Sequence, residues 1–159
     1  MITRLRHIGL ALITLPGLII SRQQRVLFRE MRSFEHGLPA ALKAPLPAAL
    51  QSLTPAPVAP TVREQAIRRL ADLAALLDRR SPLGLCLRRS LTRYHFLRRA
   101  GVPVVLHFGA KFVDGKPDRD VTGHAWLTLN DQVYHERGEN WRNFTAMLSF
   151  PQDDGKINP

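Results

Sequence analysis

The residue with the clearest capacity for chemistry is Cys86, the single cysteine of the chain. With one cysteine no intrachain disulfide can form, and no Cys/His cluster has the spacing of zinc ligands. A lone cysteine is either a small buried hydrophobic residue or a nucleophile. A nucleophilic thiolate requires a base or ion-pair partner, which in turn requires an acceptor that orients it.

His124 is the best of six candidate histidines for that partner. It follows Gly123 at the start of a predicted strand, from which it can project toward a helix packed on that face. His95 lies too far along the predicted helix of Cys86 to reach the sulfur. His107 lies within an apolar strand and is predicted to be a core or cross-strand residue. The remaining three are His7 and His36 in the N-terminal zone and His135 on the following strand.

Two acidic residues are candidates for the acceptor. A hairpin centred near residues 130–131 places Val133–Glu136 opposite residues 125–128, so Glu136 can approach His124. Asp131 lies at the turn and is the weaker candidate. The residues therefore predict a Cys86–His124–Glu136 site, against the alternative of an ordinary buried cysteine.

Cys86 is predicted to lie in the first turn of a helix spanning about residues 84–99. The turn Ser81-Pro82-Leu83-Gly84 precedes this helix, and Gly101 ends it. Free N–H groups and the partial positive charge at a helix start favour the thiolate and could hold an oxyanion. Arg89 and Arg93 share the cysteine's side of the helix, either as substrate-binding residues or as a solvated face.

The other predicted elements indicate an α+β fold, with helices packed on a small antiparallel sheet. A capping box from Thr61 to Glu64 begins a helix that runs to about Arg79. Alternating residues predict strands over Val102–Phe112, Thr122–Leu129 and Val133–Glu136. The tail after Gly138 is predicted to be irregular or partly helical.

The N-terminal residues are predicted to form an extension, residues 1–60, before a catalytic domain over 61–159. Residues 1–37 are predicted to be helical, with a break near Pro16-Gly17. The Pro/Ala-rich residues 38–60 are predicted to form a loop or linker with at most a short helical turn. The uncharged run 8–20 is too short to span a bilayer comfortably. It is predicted to be a buried or interfacial helix, and a cleaved signal peptide is the alternative.

The formal net charge of +10 favours an acidic partner or a solvated Arg-rich surface. Residues 1–62 carry a net +5, residues 63–99 a net +7, and residues 100–159 a net −2. No base-reading motif or aromatic stacking pattern accompanies the basic residues, which argues against nucleic-acid binding.

Two motifs resemble a known family. They are Cys86-Leu87-Arg88-Arg89-Ser90-Leu91, continuing to Gly101-Val102-Pro103, and Gly123-His124-Ala125-Trp126-Leu127, with Cys86 and His124 38 residues apart. Together they resemble the transglutaminase-like cysteine peptidases of lasso-peptide biosynthesis, which remove the leader from a ribosomal precursor. The resemblance covers about residues 62–137.

The resemblance implies that Cys86 is the nucleophile, that His124 is the base and that Trp126 packs near the site, where it is predicted to bind substrate. The family's third residue is usually an Asp about twelve residues after the His, where this chain has Glu136. No cofactor or metal is implied. The implied partners are the precursor peptide, a small separate leader-recognition protein and an ATP-dependent macrolactam cyclase, all in the cytoplasm.

Two alternatives remain open on the same fold. A transglutaminase-like site can transfer the acyl group to an amine rather than to water. A non-catalytic module could instead use its arginines to bind an acidic peptide.

Overall fold

A computed structural model describes residues 2–112, 121–136 and 140–151, with the side chains of residues 2–8, 11 and 140 left aside. The chain forms two compact units, residues 1–102 and 103–159. The predicted boundary after residue 60 is a different division of the chain and stays a prediction.

The first unit is helical. Its described residues form five helices: α1 (Ile2–Ile20), α2 (Arg22–Ala41), α3 (Leu46–Leu53), α4 (Glu64–Leu77) and α5 (Leu85–Arg99). Apolar residues at helical spacing place one face of α2, α3, α4 and α5 in a common core. The core residues include Met31, Leu38, Leu50, Leu70, Leu91, Tyr94 and Leu97, all less than 2% exposed.

The prolines interrupt the N-terminal helices less than their number suggests. The predicted break at Pro16-Gly17 is wrong, because α1 continues to Ile20. A proline inside a helix removes only its own N–H donor, so the residues of the neighbouring turns keep their hydrogen bonds and the helix can continue. The chain bends instead at Ser21, whose hydroxyl accepts a hydrogen bond from the Gln24 amide at 3.3 Å.

The predicted loop over residues 38–60 is only partly correct. Helix α2 extends through Pro39 to Ala41. Pro45 and Pro47 stand at the N-cap and in the first turn of α3, where a missing N–H has no intrahelical partner to lose. Residues 54–60 have no regular structure, as expected.

The predicted capping box at Thr61 is also wrong. Arg63 occupies the N-cap of α4 without a side-chain hydrogen bond, and the helix ends at Leu77 rather than Arg79. The N-cap of α5 is Gly84. The Ser81 hydroxyl accepts from the amide of Leu83 at 3.4 Å, so it closes the preceding turn.

Gly101 ends α5 as predicted. Its φ of 80° is the left-handed conformation, which glycine adopts without the steric cost that a Cβ imposes. The amides of Gly101 and Val102 donate to the carbonyls of Arg98 and Leu97 at 3.0 and 2.9 Å. This paired arrangement is the Schellman motif, which satisfies the last carbonyls of the helix.

The second unit is an antiparallel sheet. Its strands are β1 (Val105–Phe112), β2 (Val121–Leu129), β3 (Gln132–Val133) and β4 (Thr145–Phe150), in the order β3-β2-β1-β4. The first two match the predicted strands closely, and the third is shorter than predicted. Strand β4 was not predicted; it pairs with β1 after a single 3-10 turn at Asn140–Asn143.

The sheet has one apolar and one mixed face. Leu106 and Leu127 are directly opposite each other and buried. On the other face, Gly109 lies opposite His124, and His107 lies opposite Trp126. Because side chains alternate along a strand, both histidines and the tryptophan project from the same side of the sheet.

The predicted fold class, α+β with an antiparallel sheet, is confirmed. Among the described residues, no helix is long and apolar enough to cross a membrane.

Candidate active site

Cys86 lies in the first turn of α5, as predicted. Gly84 is its N-cap, in an extended conformation (φ −59°, ψ 145°), and the Arg88 amide closes the first turn onto the Gly84 carbonyl at 3.1 Å. The amides before Arg88 have no intrahelical acceptor, so they can serve an anion at this end. The thiol is free and half-buried.

Arg88 fixes this end of the helix. Its guanidinium is buried and donates to the carbonyl oxygens of Ala75 and Leu83, the latter at 3.1 Å. It also lies 3.6 Å from the carboxylate of Glu35, to which the Thr92 hydroxyl donates. Burial raises the pKa of Glu35, while Thr92 and Arg88 oppose that rise. These contacts tie the start of α5 to α2 and to the end of α4.

The two predicted substrate-binding arginines differ in surroundings. Arg93 is buried, and its guanidinium makes two parallel bonds to Asp72 on α4, at 2.6 and 2.7 Å. Such a bidentate pair holds α4 and α5 together, so the geometry gives Arg93 a structural role. Arg89 is half-buried on the same helix as Cys86, and its substrate contact stays a prediction.

His124 and Glu136 come together in the second unit. Nε2 of His124 lies 3.8 Å from Oε1 of Glu136, and their side chains are only 15% and 8% exposed. The hairpin register alone would not produce this approach: Thr128 pairs with Val133 and the Tyr134 amide donates to the Leu127 carbonyl at 2.8 Å, so regular alternation would place Glu136 on the same side as Ala125, away from His124. Strand β3 ends at Val133, and the left-handed conformation of His135 (φ 49°) interrupts the alternation just before Glu136.

Aromatic rings enclose the imidazole of His124. Trp126 stacks on it with 5.9 Å between ring centroids and 17° between planes. The Phe144 ring lies 5.1 Å away, tilted by 33°. The amine of Lys111 lies over the Phe144 ring, 4.9 Å from its centroid. The expectation that Trp126 packs near the site agrees with this stacking.

Trp126 is itself held on its other side by His107, stacked at 5.5 Å and 18°. Nδ1 and Nε2 of His107 lie 2.7 and 2.8 Å from the hydroxyls of Ser149 and Thr128. His107 therefore bonds to both neighbouring strands, as its predicted cross-strand position requires. Burial lowers its pKa, and the charge of Asp131 opposes that shift. The acidic group of the hairpin turn thus acts on His107.

Two residues of the His124 surroundings escaped sequence reasoning. A Cβ added to Gly109 would lie 2.7 Å from the Trp126 ring and 3.0 Å from Cβ of Phe144, so only glycine leaves room for this packing. Phe144 reaches His124 through the unpredicted pairing of β4 with β1. Neither residue belongs to a recognisable motif, and only the three-dimensional pairing of distant strands reveals them.

The other histidines lie elsewhere. Nδ1 of His95 lies 2.7 Å from the carbonyl of Leu53, and exposed His36 lies 3.8 Å from the Asp78 carboxylate. The side chain of His7 is outside the described residues. In the described parts of the chain, no group of three or more His, Cys, Asp or Glu residues could hold a metal ion.

A thiol at a helix start, and an imidazole beside a carboxylate on an antiparallel sheet, are the groups that cysteine-dependent acyl transfer requires. A family model described as the transglutaminase-like superfamily matches residues 36–149, which is more than half of the chain. The chain belongs to this superfamily, which includes cysteine peptidases. Searches of curated proteins and of solved structures gave no match.

Proposed function

We propose that this protein is a cysteine peptidase that removes the leader peptide from a ribosomally made lasso-peptide precursor. It works with a small leader-recognition protein and an ATP-dependent macrolactam cyclase. The observation that carries the catalytic part is the His124–Glu136 pair, a half-buried imidazole within 3.8 Å of a carboxylate. Membership of a superfamily that includes cysteine peptidases supports the same chemistry.

In the proposed mechanism, the Cys86 thiolate attacks the carbonyl carbon at the leader–core junction. The C–N bond breaks as the His124 imidazolium protonates the leaving amine of the core. Water, deprotonated by His124, then hydrolyses the thioester and frees the leader carboxylate and the thiol. Glu136 orients the imidazole and stabilises its charged form.

The substrate class rests on the two motifs. The Cys86–Pro103 stretch and Gly123-His124-Ala125-Trp126 resemble the leader peptidases in sequence and order. A leader peptidase leaves the core with a free α-amine, and macrolactam formation consumes that amine.

The direct test is leader removal by the Cys86→Ala variant. A candidate precursor and a candidate recognition protein are incubated with wild-type or variant protein, and the products are identified by mass spectrometry. We expect the variant to lose cleavage completely while its circular dichroism and unfolding midpoint stay close to wild type. Cleavage by Cys86→Ala at the wild-type rate would overturn the proposal.

Two further outcomes would identify the two alternative functions. Leader joined to an added primary amine, in place of free leader, would identify an amine acyltransferase. Biological output that survives Cys86→Ala and is lost in Arg89→Glu would identify a non-catalytic peptide-binding module. Arg93→Glu is unsuitable for this purpose, because it removes the buried pair with Asp72.

A further inference from the structure

The solvent face of helix α1 is entirely apolar over its C-terminal half. Leu12, Ile13, Leu15, Ile19 and Ile20 are 45–82% exposed, and Pro16 is exposed between them. At 3.6 residues per turn these six positions form one continuous arc of about 160°. A contiguous apolar surface of this kind is unusual on a protein in water and marks an interaction site.

The opposite side of α1 packs within the first unit. Thr14 is buried, and its hydroxyl donates to the Leu10 carbonyl at 2.7 Å, so its polar group is satisfied inside the helix. The exposed arc is therefore the side that the first unit leaves uncovered.

The charge of residues 1–29 is wholly positive, and the next residue, Glu30, is paired with Arg99 at 2.6 Å. Residues 1–29 contain five arginines and no acidic residue. Arg22 and Arg29 are exposed on α2, with the exposed Val26 between them. Arg25 donates to the carbonyls of Leu18 and Ile19, at 3.1 and 2.6 Å, and so offsets the partial negative charge at the end of α1.

We infer that this arc and its arginines, which we call the α1 surface, bind the face of an anionic lipid bilayer. An apolar helix face flanked by arginines is the arrangement that lies in the plane of a membrane interface, with its apolar side among the acyl chains. Each arginine near an anionic surface adds attraction that salt screens.

Charge and shape favour lipid over other occupants. Pairing with a second copy would bring the exposed Arg22 and Arg29 of both copies close together, which like-charge repulsion opposes. A peptide ligand is usually held in a groove or along a sheet edge, whereas the apolar arc is the exposed side of one helix. The inference does not depend on the peptidase activity.

The test is co-sedimentation of the full chain with vesicles of phosphatidylcholine alone and of phosphatidylcholine with one quarter phosphatidylglycerol. We expect binding to the anionic vesicles, weaker binding to the neutral ones, and loss of the difference at high salt. The triple variant Leu12→Ser, Ile19→Ser, Ile20→Ser should bind anionic vesicles at least about tenfold more weakly, since each substitution removes an inserted apolar side chain.

A matched control removes three exposed apolar side chains elsewhere. Val58→Ser, Leu77→Ser, Met147→Ser should bind as wild type does. The pair Arg22→Gln, Arg29→Gln should weaken binding to anionic vesicles and reduce its salt dependence. Circular dichroism verifies that each variant is folded, and the salt dependence of the wild type gives a test that needs no variant.

Three results would overturn the inference: no binding of wild type to anionic vesicles, equal binding to both vesicle types, or equal loss in the control triple variant. Self-association in the absence of lipid that the α1 triple variant abolishes would also overturn it, since the α1 surface would then bind a second copy.

Discussion

Glu136 holds a position that many enzymes of this chemistry give to an aspartate, and it comes near His124 through a change in the backbone. Strand β3 ends at Val133, and the left-handed residue His135 turns the chain before Glu136. The carboxylate then lies 3.8 Å from the His124 imidazole. This approach therefore depends on the backbone conformation of His135.

Replacing Glu136 by Gln should lower kcat/KM for leader removal on the order of 10²-fold or more, because the amide cannot stabilise the imidazolium as a carboxylate does. Steady-state cleavage assays measure the effect. Asp131→Asn is the matched control: it makes the same change at the hairpin turn, where Asn also tolerates a positive φ. A larger loss in Asp131→Asn than in Glu136→Gln would reverse the assignment of the third residue.

Gly109 leaves room for the Trp126 ring because it has no side chain. Gly109→Ala must displace the Trp126 ring, and with it the imidazole that Trp126 stacks on. We expect kcat/KM to fall about tenfold or more, since small misplacements of catalytic groups are costly, with a changed near-ultraviolet circular dichroism spectrum.

Gly123→Ala provides the comparison for that experiment. Its new Cβ meets its nearest neighbour, the Gly109 carbonyl, at 3.9 Å, an ordinary contact. This variant should keep the wild-type spectrum. An unchanged spectrum and rate in Gly109→Ala would show that the Trp126 ring has other room to occupy.

At the scale of elements, a glycine at the end of a helix and a glycine inside a helix have opposite effects on stability. Gly101→Ala places a Cβ on a left-handed residue and should destabilise the protein by about 1–2 kcal/mol. Gly37→Ala, inside α2 and with nothing within 4 Å of the new Cβ, should instead stabilise it by about 0.5–1 kcal/mol. Urea unfolding of both variants measures the two signs, and destabilisation by both would contradict the argument.

Local patterns were sufficient for some elements. Helical spacing and a terminal glycine gave the end of α5, and Asn130-Asp131 gave the hairpin turn, where both residues have positive φ. Local patterns gave wrong predictions where contacts with residues far away in the sequence determine the structure. Prolines that suggested a linker stand at positions of α2 and α3 that tolerate them, and β4 forms only because β1 offers its free edge about forty residues earlier.

The candidate site divides in the same way. Cys86 and His124 follow from residue type, helix start and strand position, whereas the approach of Glu136 to His124 also needs the left-handed residue His135. The buried Arg88–Glu35 contact, the Arg93–Asp72 pair and the packing of Phe144 do not, because each joins residues that are far apart in sequence. An arginine that a helical wheel assigns to a surface can be buried when its partner lies on another helix.

For the whole molecule, stability should depend on pH through its half-buried histidines. Burial lowers the pKa of His95, whose Nδ1–H donates to the Leu53 carbonyl. Below pH 6.5 the unfolded imidazole binds a proton that the folded one does not accept until lower pH. The free energy of unfolding should therefore be highest above pH 6.5. It should fall as the pH drops from 6.5 toward the pKa of His95 in the folded protein, by at most about 1.4 kcal/mol per pH unit for one proton.

Urea unfolding at pH 7.5, 6.5 and 5.5 measures this dependence. His95→Gln, which keeps an N–H donor for Leu53, should flatten the slope without abolishing it, because burial lowers the pKa of His107 in the same direction. A slope that is unchanged in His95→Gln would exclude His95 as a source of the pH dependence.

The two units also differ in net charge. The stretches with net charges of +5 and +7 both belong to the first unit, and the residues after them carry a net −2. We therefore expect an acidic partner to bind the helical unit. Met31, Leu38 and Leu50 belong to the same core as α4 and α5, so the N-terminal helices are structural parts of that unit.

The two-residue turn at Asn130-Asp131 fixes the register of the hairpin, but register alone would direct Glu136 away from His124. Leu129 pairs with Gln132 and Thr128 with Val133, so unbroken alternation would place Glu136 opposite Ala125, on the other side of the sheet from His124. The positive φ of His135 interrupts that alternation one residue before Glu136. Among natural variants with an intact site, the position before the acid should therefore hold a residue that tolerates positive φ, such as Gly, Asn, Asp or His.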